Sequence, residues 1–456
     1  MWPTKFLLFA YDKLTHRNIM KEYNKLKKTS NFDLQRIKQY QENKLKSILE
    51  YAVENVPFYR KTLKKYVSNL GKISPLSMLS ELPILTKNMI KNNFDDLISD
   101  EYRNTKNIYF GYTGGSTGQP LKFGFNKEYK DVRLALIYYN FIWSGYKFGD
   151  SHAYLYGSLL DFKKDVSYRN KSQHFIMNSF IENAYHLNEK KLENFISQLK
   201  ERNVKYLVGY ASALFSLAKF ITDRKIQIKD TIKLKSIIST ASYLYDDHRK
   251  IVEEVFGCKV FDRYGCREVG NIAHECNQHA GLHINWQNVI VEIFDDKKTY
   301  TSYDNFYKRG ILVITCLNNY GMPFIRYNLE DLGVFLDYRC ECTNNSPLIK
   351  IEGGRICDQF YNINKEIISG HCFTRLVMSF MKINQIQFIQ NSFTNFTVKI
   401  VKSTEDVQDE IDLIKYKIKE LFGENTTIDF IFVNKIEKEA SGKYRYTKSL
   451  LTDRLN

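Results

Sequence analysis

A run of small and hydroxylated residues at positions 111–120 has the composition of an anion-binding loop. The residues able to contact a phosphate are Thr113, Gly114, Gly115, Ser116, Thr117 and Gly118. Glycine adopts positive φ and lets a ligand approach the backbone closely. Successive backbone N–H groups then form a concave anion site, to which hydroxyls add further donors. No Gly-Lys-Ser/Thr follows, which excludes the Walker motif. The same composition also fits a plain turn.

A second candidate is the segment Arg263–Glu268, which follows the short apolar run 259–261. If that run is a strand, the segment lies at its carboxyl end, where α/β proteins bind ligands. The ring of Tyr264 can stack on a purine, and the carboxylate of Glu268 can hold Mg²⁺ together with phosphate oxygens. The plainer alternative is a surface glutamate beside a core tyrosine.

Cysteine and histidine form a third constellation. All eight cysteines lie between residues 258 and 372, and in a chain without a convincing secretory signal we expect reduced thiols. Cys276, His283, Cys340 and Cys342 supply three thiolates and one imidazole, the donor set of a closed tetrahedral zinc site. Cys340 and Cys342 are two residues apart, so in an extended chain both sulfurs face the same way.

The spacing of these residues leaves other arrangements open. Zinc ligand pairs more often lie about two to four residues apart, and the gap between Cys340 and Cys342 is shorter. His274 and His279 are alternative ligands. Spacing alone fits core cysteines without a metal equally well.

The order of residues within these segments adds a family resemblance. Thr-Gly-Gly-Ser-Thr-Gly-Gln-Pro at 113–120 resembles the phosphate-loop signature of the AMP-forming adenylating enzymes. Leu121, Tyr-Ala-Val-Glu-Asn-Val-Pro-Phe-Tyr at 51–59 and Leu-Pro-Ile-Leu-Thr-Lys at 82–87 look like the phenylacetate–CoA ligase branch and its CapK-like capsule-biosynthesis relatives. The resemblance implies that residues 113–118 bind the phosphates of ATP. Gly114 stands where the superfamily usually has serine.

Two further motifs carry the resemblance. Tyr264-Gly265-Cys266-Arg267-Glu268 is similar to the family motif Tyr-Gly-x-Thr-Glu, with Arg267 in place of a threonine that contacts the α-phosphate. An arginine binds phosphate more strongly, so the resemblance implies the same role for Arg267. The segment 322–331 resembles a motif that ends in Arg-Thr-Gly-Asp. This resemblance implies that the carboxylate of Asp331 binds both ribose hydroxyls. Asn328, Leu329 and Glu330 depart from Arg-Thr-Gly.

The resemblance continues towards the end of the chain. Gly354-Arg355-Ile356-Cys357-Asp358 resembles the hinge motif Gly-Arg-x-Asp-Asp, with Cys357 in place of the first aspartate, and it implies that Arg355 contacts the nucleotide. Ser-Gly-Lys at 441–443 matches the loop whose lysine completes adenylation, which implies a catalytic Lys443. Similar cysteine placements in this branch favour the structural zinc.

The elements that would position these residues alternate between strand and helix. Strand-like apolar runs occur at 153–157, 206–210, 235–240 and 259–261. Helical patterns separate them, at 128–145, 192–202, 211–223 and up to residue 255. This alternation favours parallel α/β layers. Strands then dominate, at 289–294, 310–315 and 332–338.

Two domains are predicted on this basis. Residues 1–352 would form a large α/β domain, and residues 353–456 a small α+β domain that the resemblance implies is mobile. Strands at 385–390, 396–401 and 428–433 and a helix at 406–422 make up the small domain. At 456 residues the chain is long enough for such a division.

The amino-acid composition of the chain limits the kinds of binding partner that we expect. Lys and Arg number 67 against 51 Asp and Glu, a formal net charge of +16, yet the two signs are mixed along the chain. We therefore expect solvated surface lysines and no nucleic-acid partner. The apolar stretch at 6–11 is too short to span a bilayer. Its aromatic residues among lysines still fit a peripheral membrane contact, although a helix packed on the domain is the simpler interpretation. The expected location is the cytoplasm.

Together these features predict an ATP-dependent ligase. With Mg²⁺, the enzyme would activate a carboxylic acid as an acyl-adenylate and transfer the acyl group to CoA or another thiol or amine acceptor, in the capsule or surface-polysaccharide context of its relatives. The alternative is a non-catalytic nucleotide-binding or polysaccharide-assembly protein on a degenerate adenylating fold, which the departures at 114, 267, 328–330 and 357 leave open.

Overall fold

The fold was analysed in a computed structural model. It describes residues 4–68, 70–113, 121–156, 174–184, 187–295, 299–301, 309–337, 339–353, 359–364, 367–369, 373, 380, 382–402, 406–437 and 447–451.

The helices and strands are numbered in chain order. The α-helices are α1 Thr4–Thr15, α2 Ile19–Thr29, α3 Leu34–Asn55, α4 Pro57–Thr62, α5 Lys64–Val67, α6 Pro75–Leu79, α7 Lys87–Asn92, α8 Lys127–Phe141, α9 Glu189–Glu201, α10 Ala211–Asp223, α11 Asp246–Phe256 and α12 Gln408–Phe422. The strands are β1 Ile108–Tyr112, β2 Lys122–Asn126, β3 His152–Leu155, β4 Ser179–Glu182, β5 Tyr206–Tyr210, β6 Ser236–Thr240, β7 Lys259–Cys266, β8 Gly270–Glu275, β9 Leu282–Ile284, β10 Val289–Phe294, β11 Thr299–Thr301, β12 Arg309–Cys316, β13 Tyr327–Leu336, β14 Leu348–Gly353, β15 Gln359–Tyr361, β16 Ile367–Ser369, β17 Ile383–Ser392, β18 Asn395–Lys402, β19 Thr427–Phe432 and β20 Thr447–Ser449.

A 12-stranded sheet organises most of the chain, in the order β11-β10-β12-β13-β14-β9-β8-β7-β6-β5-β3-β4. The strands from β4 to β7 pair in parallel, with helices in the connections between them. Parallel strands need such crossovers and are buried on both faces, so they read as continuous apolar runs. The predicted α/β layers are confirmed.

The other half of this sheet is antiparallel. Strand β7 turns back into β8 and β9, and β14, β13, β12 and β10 follow by antiparallel pairing. The direction therefore changes at β7, between a parallel and an antiparallel half. Strand ends from both halves meet near β7. The residues predicted to form the functional site lie on the strands beside it.

Helices cover both faces of the parallel half. On one face, Leu207, Ile237 and Val260 of the strands pack against α9, α10 and α11. On the other, Val208 and Phe261 pack against α8 and α2. Alternate residues of each strand thus belong to different cores, as the two-residue period of a strand requires.

Helix α3 shows how the sequence sets the limits of an element. Asp33 caps it by accepting a hydrogen bond from the backbone N–H of Arg36 at 2.8 Å, and Pro57 follows its end, where it begins α4. The apolar residues Ile37 and Leu45 of α3 are buried, while Leu34 is exposed.

The first helix, α1, buries Leu8 and exposes Phe6 and Phe9. Within the ranges that the structure describes, no helix combines the length and apolarity needed to cross a membrane.

The C-terminal part has its own sheet and core. Its 4-stranded sheet runs β19-β18-β17-β20, with β17 and β18 antiparallel and both outer pairings parallel. Helix α12 packs on it through Ile411, Ile414, Ile418 and Phe422. This is the α+β arrangement expected from the sequence, although a domain boundary at residue 353 stays a prediction.

Candidate functional site

Two predicted motifs meet through one hydrogen bond. The hydroxyl of Tyr264, near the carboxyl end of β7, donates to Oδ2 of Asp331 on β13 at 2.6 Å. The two residues are 67 positions apart in sequence. The residue proposed to stack on a purine and the residue proposed to hold a ribose are therefore neighbours, as the binding of a single nucleoside requires.

Gly265 is required by the tight β7–β8 hairpin. A Cβ at this position would lie 2.4 Å from the carbonyl oxygen of Gly270, a distance that real Cβ atoms do not reach. The β7–β8 register also shifts between Tyr264 and Gly265. Such a bulge redirects the following side chains, here those of Arg267 and Glu268.

Glu268 is a buried carboxylate held by a phenol. Its side chain is 5% exposed, and Oε1 accepts a hydrogen bond from the hydroxyl of Tyr327 at 2.9 Å. Tyr327 is fully buried at the start of β13. A carboxylate can accept about four hydrogen bonds or metal contacts, so this bond leaves it able to bind a cation. Sequence reasoning gave Tyr327 no role, although it lies in the motif that ends at Asp331.

Arg267 lies at the base of the predicted phosphate loop. Its guanidinium donates to the carbonyl oxygen of Tyr112, the last residue of β1, at 3.0 Å. Strands β1 and β2 form an antiparallel hairpin, and Thr113 closes it by two hydrogen bonds with Leu121, at 2.9 and 3.2 Å. The glycine-rich segment therefore connects the two strands of a hairpin that Arg267 contacts.

Several predicted residues lie outside the described residues. They are the loop residues Gly114, Gly115, Ser116, Thr117 and Gly118, the hinge residues Arg355, Cys357 and Asp358, and the lysine Lys443. Their roles stay predictions.

The residues that depart from Arg-Thr-Gly lie in β13 beside Asp331, where the register with β12 shifts. Glu330 has φ +63°, a left-handed conformation that glycine adopts freely and that costs other residues about 1–2 kcal/mol. Its N–H donates to the side chain of Asn328 at 2.8 Å, and its carboxylate forms an ion pair with Lys87 of α7. The contacts with Asn328 and Lys87 thus stabilise a backbone conformation of Glu330 that a glycine would adopt without strain.

Arg326, just before β13, is buried in an ion pair with Glu292 of β10 at 3.1 Å. Its guanidinium also donates to the carbonyl oxygens of Ser80 and Leu82. Burial raises the pKa of Glu292, and the adjacent Arg326 opposes that shift. This pair ties the segment before α7 to the strand that carries Asp331, so its role is structural.

The four predicted zinc ligands converge. Their ligand atoms all lie within 4.8 Å of one another. The sulfurs of Cys276 and Cys340 are 3.4 Å apart, and the sulfur of Cys342 is 3.2 Å from Nε2 of His283. Two sulfurs on one tetrahedral zinc, with bonds of about 2.3 Å, stand roughly 3.8 Å apart. The donor set and its spacing therefore fit a zinc ion.

The surroundings of these residues also suit a metal. Nδ1 of His283 lies 3.3 Å from the carbonyl oxygen of Ser346, which orients the ring and leaves Nε2 as the ligand nitrogen. The backbone N–H groups of Gln278 and Asn344 donate to the sulfurs of Cys276 and Cys342, both at 3.4 Å. Hydrogen bonds of this kind favour thiolates. Ser346 had no sequence signal.

The alternative histidines are engaged elsewhere. Nδ1 of His274 lies 2.6 Å from the carbonyl oxygen of Glu275, and Nδ1 of His279 lies 3.1 Å from the carboxylate of Glu275. Neither joins the cluster of Cys276, His283, Cys340 and Cys342.

The sequence also predicts a pocket for the acid substrate near residues 154–160 and 209–212, and part of it falls within the described residues. Strands β3 and β5 are adjacent and parallel, so their carboxyl ends lie side by side. The rings of Tyr156 and Tyr210 are 6.1 Å apart at this edge. Residues 157–160 lie outside the described ranges.

Comparison with known proteins defines the class of this fold. The solved structure of a 2-hydroxyisobutyryl-CoA ligase in its postadenylation state aligns with a TM-score of 0.71 at 16% identity, covering 93% of this chain and 92% of the ligase. MatB from Rhodopseudomonas palustris aligns with a TM-score of 0.51 at 13% identity, over 76% of this chain and 67% of MatB. The fold is that of the adenylate-forming ligases, as the resemblance implied.

Sequence comparison narrows the relationship. A family model of the CapK C-terminal domain matches residues 360–450. Protein CapK of Staphylococcus aureus is 28% identical over 419 residues, covering 89% of this chain and 88% of CapK. A phenylacetate-coenzyme A ligase of Thermus thermophilus is 24% identical over 68% of each chain, and one of Pseudomonas putida is 22% identical over 65% and 66%. The chain is a homologue of CapK and of the phenylacetate–CoA ligases, which confirms the resemblance drawn from its motifs.

Proposed function

We propose that this protein is an AMP-forming ligase that activates a carboxylic acid with ATP. A substrate carboxylate attacks the α-phosphate of ATP, the bond to pyrophosphate breaks, and an acyl-adenylate forms. The acyl group then passes to CoA or to another thiol or amine acceptor, and AMP leaves. The homologous phenylacetate–CoA ligases and the matched CoA-ligase fold support this reaction class.

The observation that carries the proposal is the contact between Tyr264 and Asp331. It joins the ring proposed to stack on a purine to the carboxylate proposed to bind the ribose, beside the hairpin that leads into the predicted phosphate loop. Glu268 follows Tyr264 by four residues and is fixed by Tyr327 from the strand that carries Asp331. The described residues proposed to contact the nucleoside, the α-phosphate and the cation thus lie in one region.

The remaining residues are assigned by how they would stabilise the negative charge of the phosphates. The attack on the α-phosphate concentrates negative charge, which preorganised donors stabilise. Arg267 would bind the α-phosphate, and residues 113–118 would hold the outer phosphates through backbone N–H groups and hydroxyls. Glu268 would hold Mg²⁺, which neutralises phosphate charge when bound. Lys443 would contact the reacting oxygens.

The two-domain division belongs to the same proposal. Residues 353–456 would form a lid that closes for adenylation and rotates for transfer, with Arg355 near the nucleotide. Closure of this kind excludes water from a reactive intermediate. CoA is the favoured acceptor because the matched phenylacetate ligases and 2-hydroxyisobutyryl ligase are named for it.

The cluster of Cys276, His283, Cys340 and Cys342 would hold a structural zinc, because a closed set of four protein ligands leaves no position for a substrate. A role in capsule or surface-polysaccharide synthesis belongs to the proposal because the chain resembles the CapK-like capsule-biosynthesis branch, and Protein CapK is among its relatives. We place the protein in the cytoplasm, acting on small molecules and not on nucleic acid. Phe6 and Phe9, both exposed on α1, would provide any peripheral membrane contact.

Pyrophosphate release with a panel of carboxylic acids tests the proposal. We expect release with ATP and at least one acid, and its loss in Asp331→Ala. Tyr264→Phe is the matched control: it keeps the ring and removes the hydroxyl that donates to Asp331, so its defect should be smaller. ATP binding without pyrophosphate release from any acid would favour the non-catalytic alternative.

A further inference from the structure

Arg263 occupies a position that the nucleotide site does not explain. It immediately precedes Tyr264 on β7, and successive residues of a strand point to opposite faces. Tyr264 contacts Asp331. Arg263 instead faces helix α8, with its Cζ atom 6.0 Å from the centroid of the Phe141 ring. The side chains of Arg263 and Tyr264 thus lie on opposite faces of the sheet at the end of β7.

The guanidinium of Arg263 is poorly satisfied. Its Nε and one terminal nitrogen donate to the same hydroxyl, Oγ1 of Thr240, at 3.3 and 3.2 Å. Thr240 is its register partner at the end of β6. In the described part of the chain Arg263 forms no salt bridge, and its remaining N–H groups have no acceptor. Arginine carries more donors than one hydroxyl can accept from.

The charge of Arg263 is also poorly balanced. Burial lowers its pKa, with the phenols of Tyr156 and Tyr154 among its neighbours. Burial raises the pKa of Tyr154 well above its usual value, so this phenol stays neutral. Asp262 projects from the other face of β7, and burial together with Glu275 raises its pKa to about 7. Asp262 therefore supplies only part of a counter-charge at neutral pH.

The location of Arg263 connects it with the acid pocket. Strands β3, β5, β6 and β7 are consecutive parallel strands, and Thr240 and Arg263 lie at their carboxyl edge beside Tyr210. In open α/β sheets ligands bind at this edge. A guanidinium that is permanently charged and only partly paired is suited to bidentate recognition of a carboxylate.

We infer that Arg263 binds a second carboxylate of the acid substrate, distinct from the one that is activated, and that dicarboxylic acids are the preferred substrate class. The inference rests on the proposed ligase function. The second carboxylate supplies the acceptors and the charge that the described residues leave open around Arg263. An acid with an apolar end would instead leave this cation desolvated and unpaired, which is costly.

Matched substrates test the inference in the unmodified protein. Pyrophosphate release is measured with dicarboxylic acids, such as succinic and isophthalic acid, and with their monomethyl esters, which remove one charge and add one methyl group. We expect kcat/KM to be roughly tenfold to hundredfold higher for the diacid, the range of a charge-assisted hydrogen bond. Equal rates, or faster reaction of the ester, would overturn the inference while leaving the ligase proposal intact.

Variants distinguish the effect of Arg263 on substrate preference from that of the rest of the pocket. Arg263→Met has similar length without charge and should remove the diacid preference, mainly through a higher KM for the diacid. Arg263→Lys should restore part of the preference. Arg224→Met, which removes an exposed arginine paired with Glu189, is the control and should leave the preference unchanged. An equal loss for diacid and ester in Arg263→Met would place Arg263 on the reacting carboxylate and contradict the inference.

A binding measurement covers the case in which no acid releases pyrophosphate. That result would defeat the proposed function without deciding the role of Arg263. Thermal unfolding with isophthalate or its monomethyl ester, without ATP, then decides it. Stabilisation by the diacid in the wild type and not in Arg263→Met supports the carboxylate site. Absence of a diacid-specific shift in the wild type overturns it.

Discussion

Glu268 is the residue whose environment most directly bears on catalysis. Its carboxylate is buried, and the phenol of Tyr327 fixes it through one hydrogen bond. An ionised carboxylate in such a place gains from a bound cation, because the cation balances a charge that water no longer solvates. A bound cation would therefore explain an acidic residue beside the proposed phosphate positions.

We predict that Glu268→Gln raises the Mg²⁺ concentration required for pyrophosphate release and lowers kcat by roughly a hundredfold. Glutamine keeps the size and one oxygen but removes the charge that holds the ion. ATP affinity should change little, because Tyr264 and Asp331 remain. The measurement is a Mg²⁺ titration of the rate at saturating ATP.

The matched control is Tyr327→Phe, which removes the hydrogen bond and leaves the carboxylate charged. Loss of one such bond is worth about 1 kcal/mol, so the defect should be nearer fivefold. An unchanged Mg²⁺ dependence in Glu268→Gln would refute the cation role.

At the scale of elements, the cysteine–histidine cluster joins separate parts of the sheet. Cys276 follows β8, His283 lies in β9, and Cys340 and Cys342 lie between β13 and β14. Strand β9 pairs with both β8 and β14. A metal here would cross-link the hairpin that follows the Glu268 segment to the strand pair that carries Asp331.

We predict one zinc per chain, bound by these four residues. Its removal should destabilise the protein, since the binding energy of a structural metal is folding energy. Metal analysis of protein purified without added zinc gives the stoichiometry, and thermal unfolding with a chelator gives the stability.

Cys342→Ser should lose the metal, whereas Cys258→Ser, which changes a free cysteine outside the cluster, should retain it. Metal-free protein of normal stability would identify the four residues as ordinary core.

The packing of α11 on α10 predicts a pH effect. His248 of α11 is 4% exposed and stacks on Phe215 of α10, with ring centroids 3.8 Å apart. Burial lowers the pKa of His248 from 6.5 to about 4. Between these values the unfolded chain binds a proton that the folded chain does not, so stability falls as pH drops from 6.5 towards 4.

We expect His248 to contribute up to about 3 kcal/mol to this loss. In His248→Phe, which preserves the ring stack, the free energy of unfolding should depend less on pH across this window. Urea unfolding at pH 7 and pH 5 measures the difference between variant and wild type. Parallel pH profiles for the two proteins would show that His248 is not the titrating group.

At the scale of the whole molecule, the proposed reaction needs two arrangements of two domains. The C-terminal part has its own core, built by β17, β18 and α12. A separate core is what allows a domain to move as a unit. The predicted lysine belongs to this part of the chain, far in sequence from the nucleotide residues, so its role can be tested one half-reaction at a time.

We predict that Lys443→Ala lowers kcat for adenylation far more than it changes ATP affinity, because the lysine acts in the transition state. A chemically supplied acyl-adenylate should bypass the defect, since transfer would use the rotated domain. Lys443→Arg is a useful companion, because its charge is retained with different geometry. Equal failure of Lys443→Ala on both substrates would show that the half-reaction assignment is wrong.

Local patterns were sufficient for most of the architecture. The strands at 206–210 and 289–294 and the helix at 211–223 have the predicted limits. They were predictable because hydrophobic periodicity and turn residues act over a few neighbours. The motif residues were likewise identified from local order, among them Tyr264, Glu268 and Asp331.

What the sequence by itself determined was therefore the inventory of elements and of chemical groups. Only the tertiary structure decided which groups meet. Tyr264 reaches Asp331 across 67 residues, Tyr327 reaches Glu268 across 59, and Cys276 reaches Cys340 across 64. Such contacts depend on the order and register of strands in the 12-stranded sheet, which no local pattern encodes. The incomplete pairing of Arg263 emerged for the same reason, because a charge is recognised as unpaired only when all its neighbours are in place.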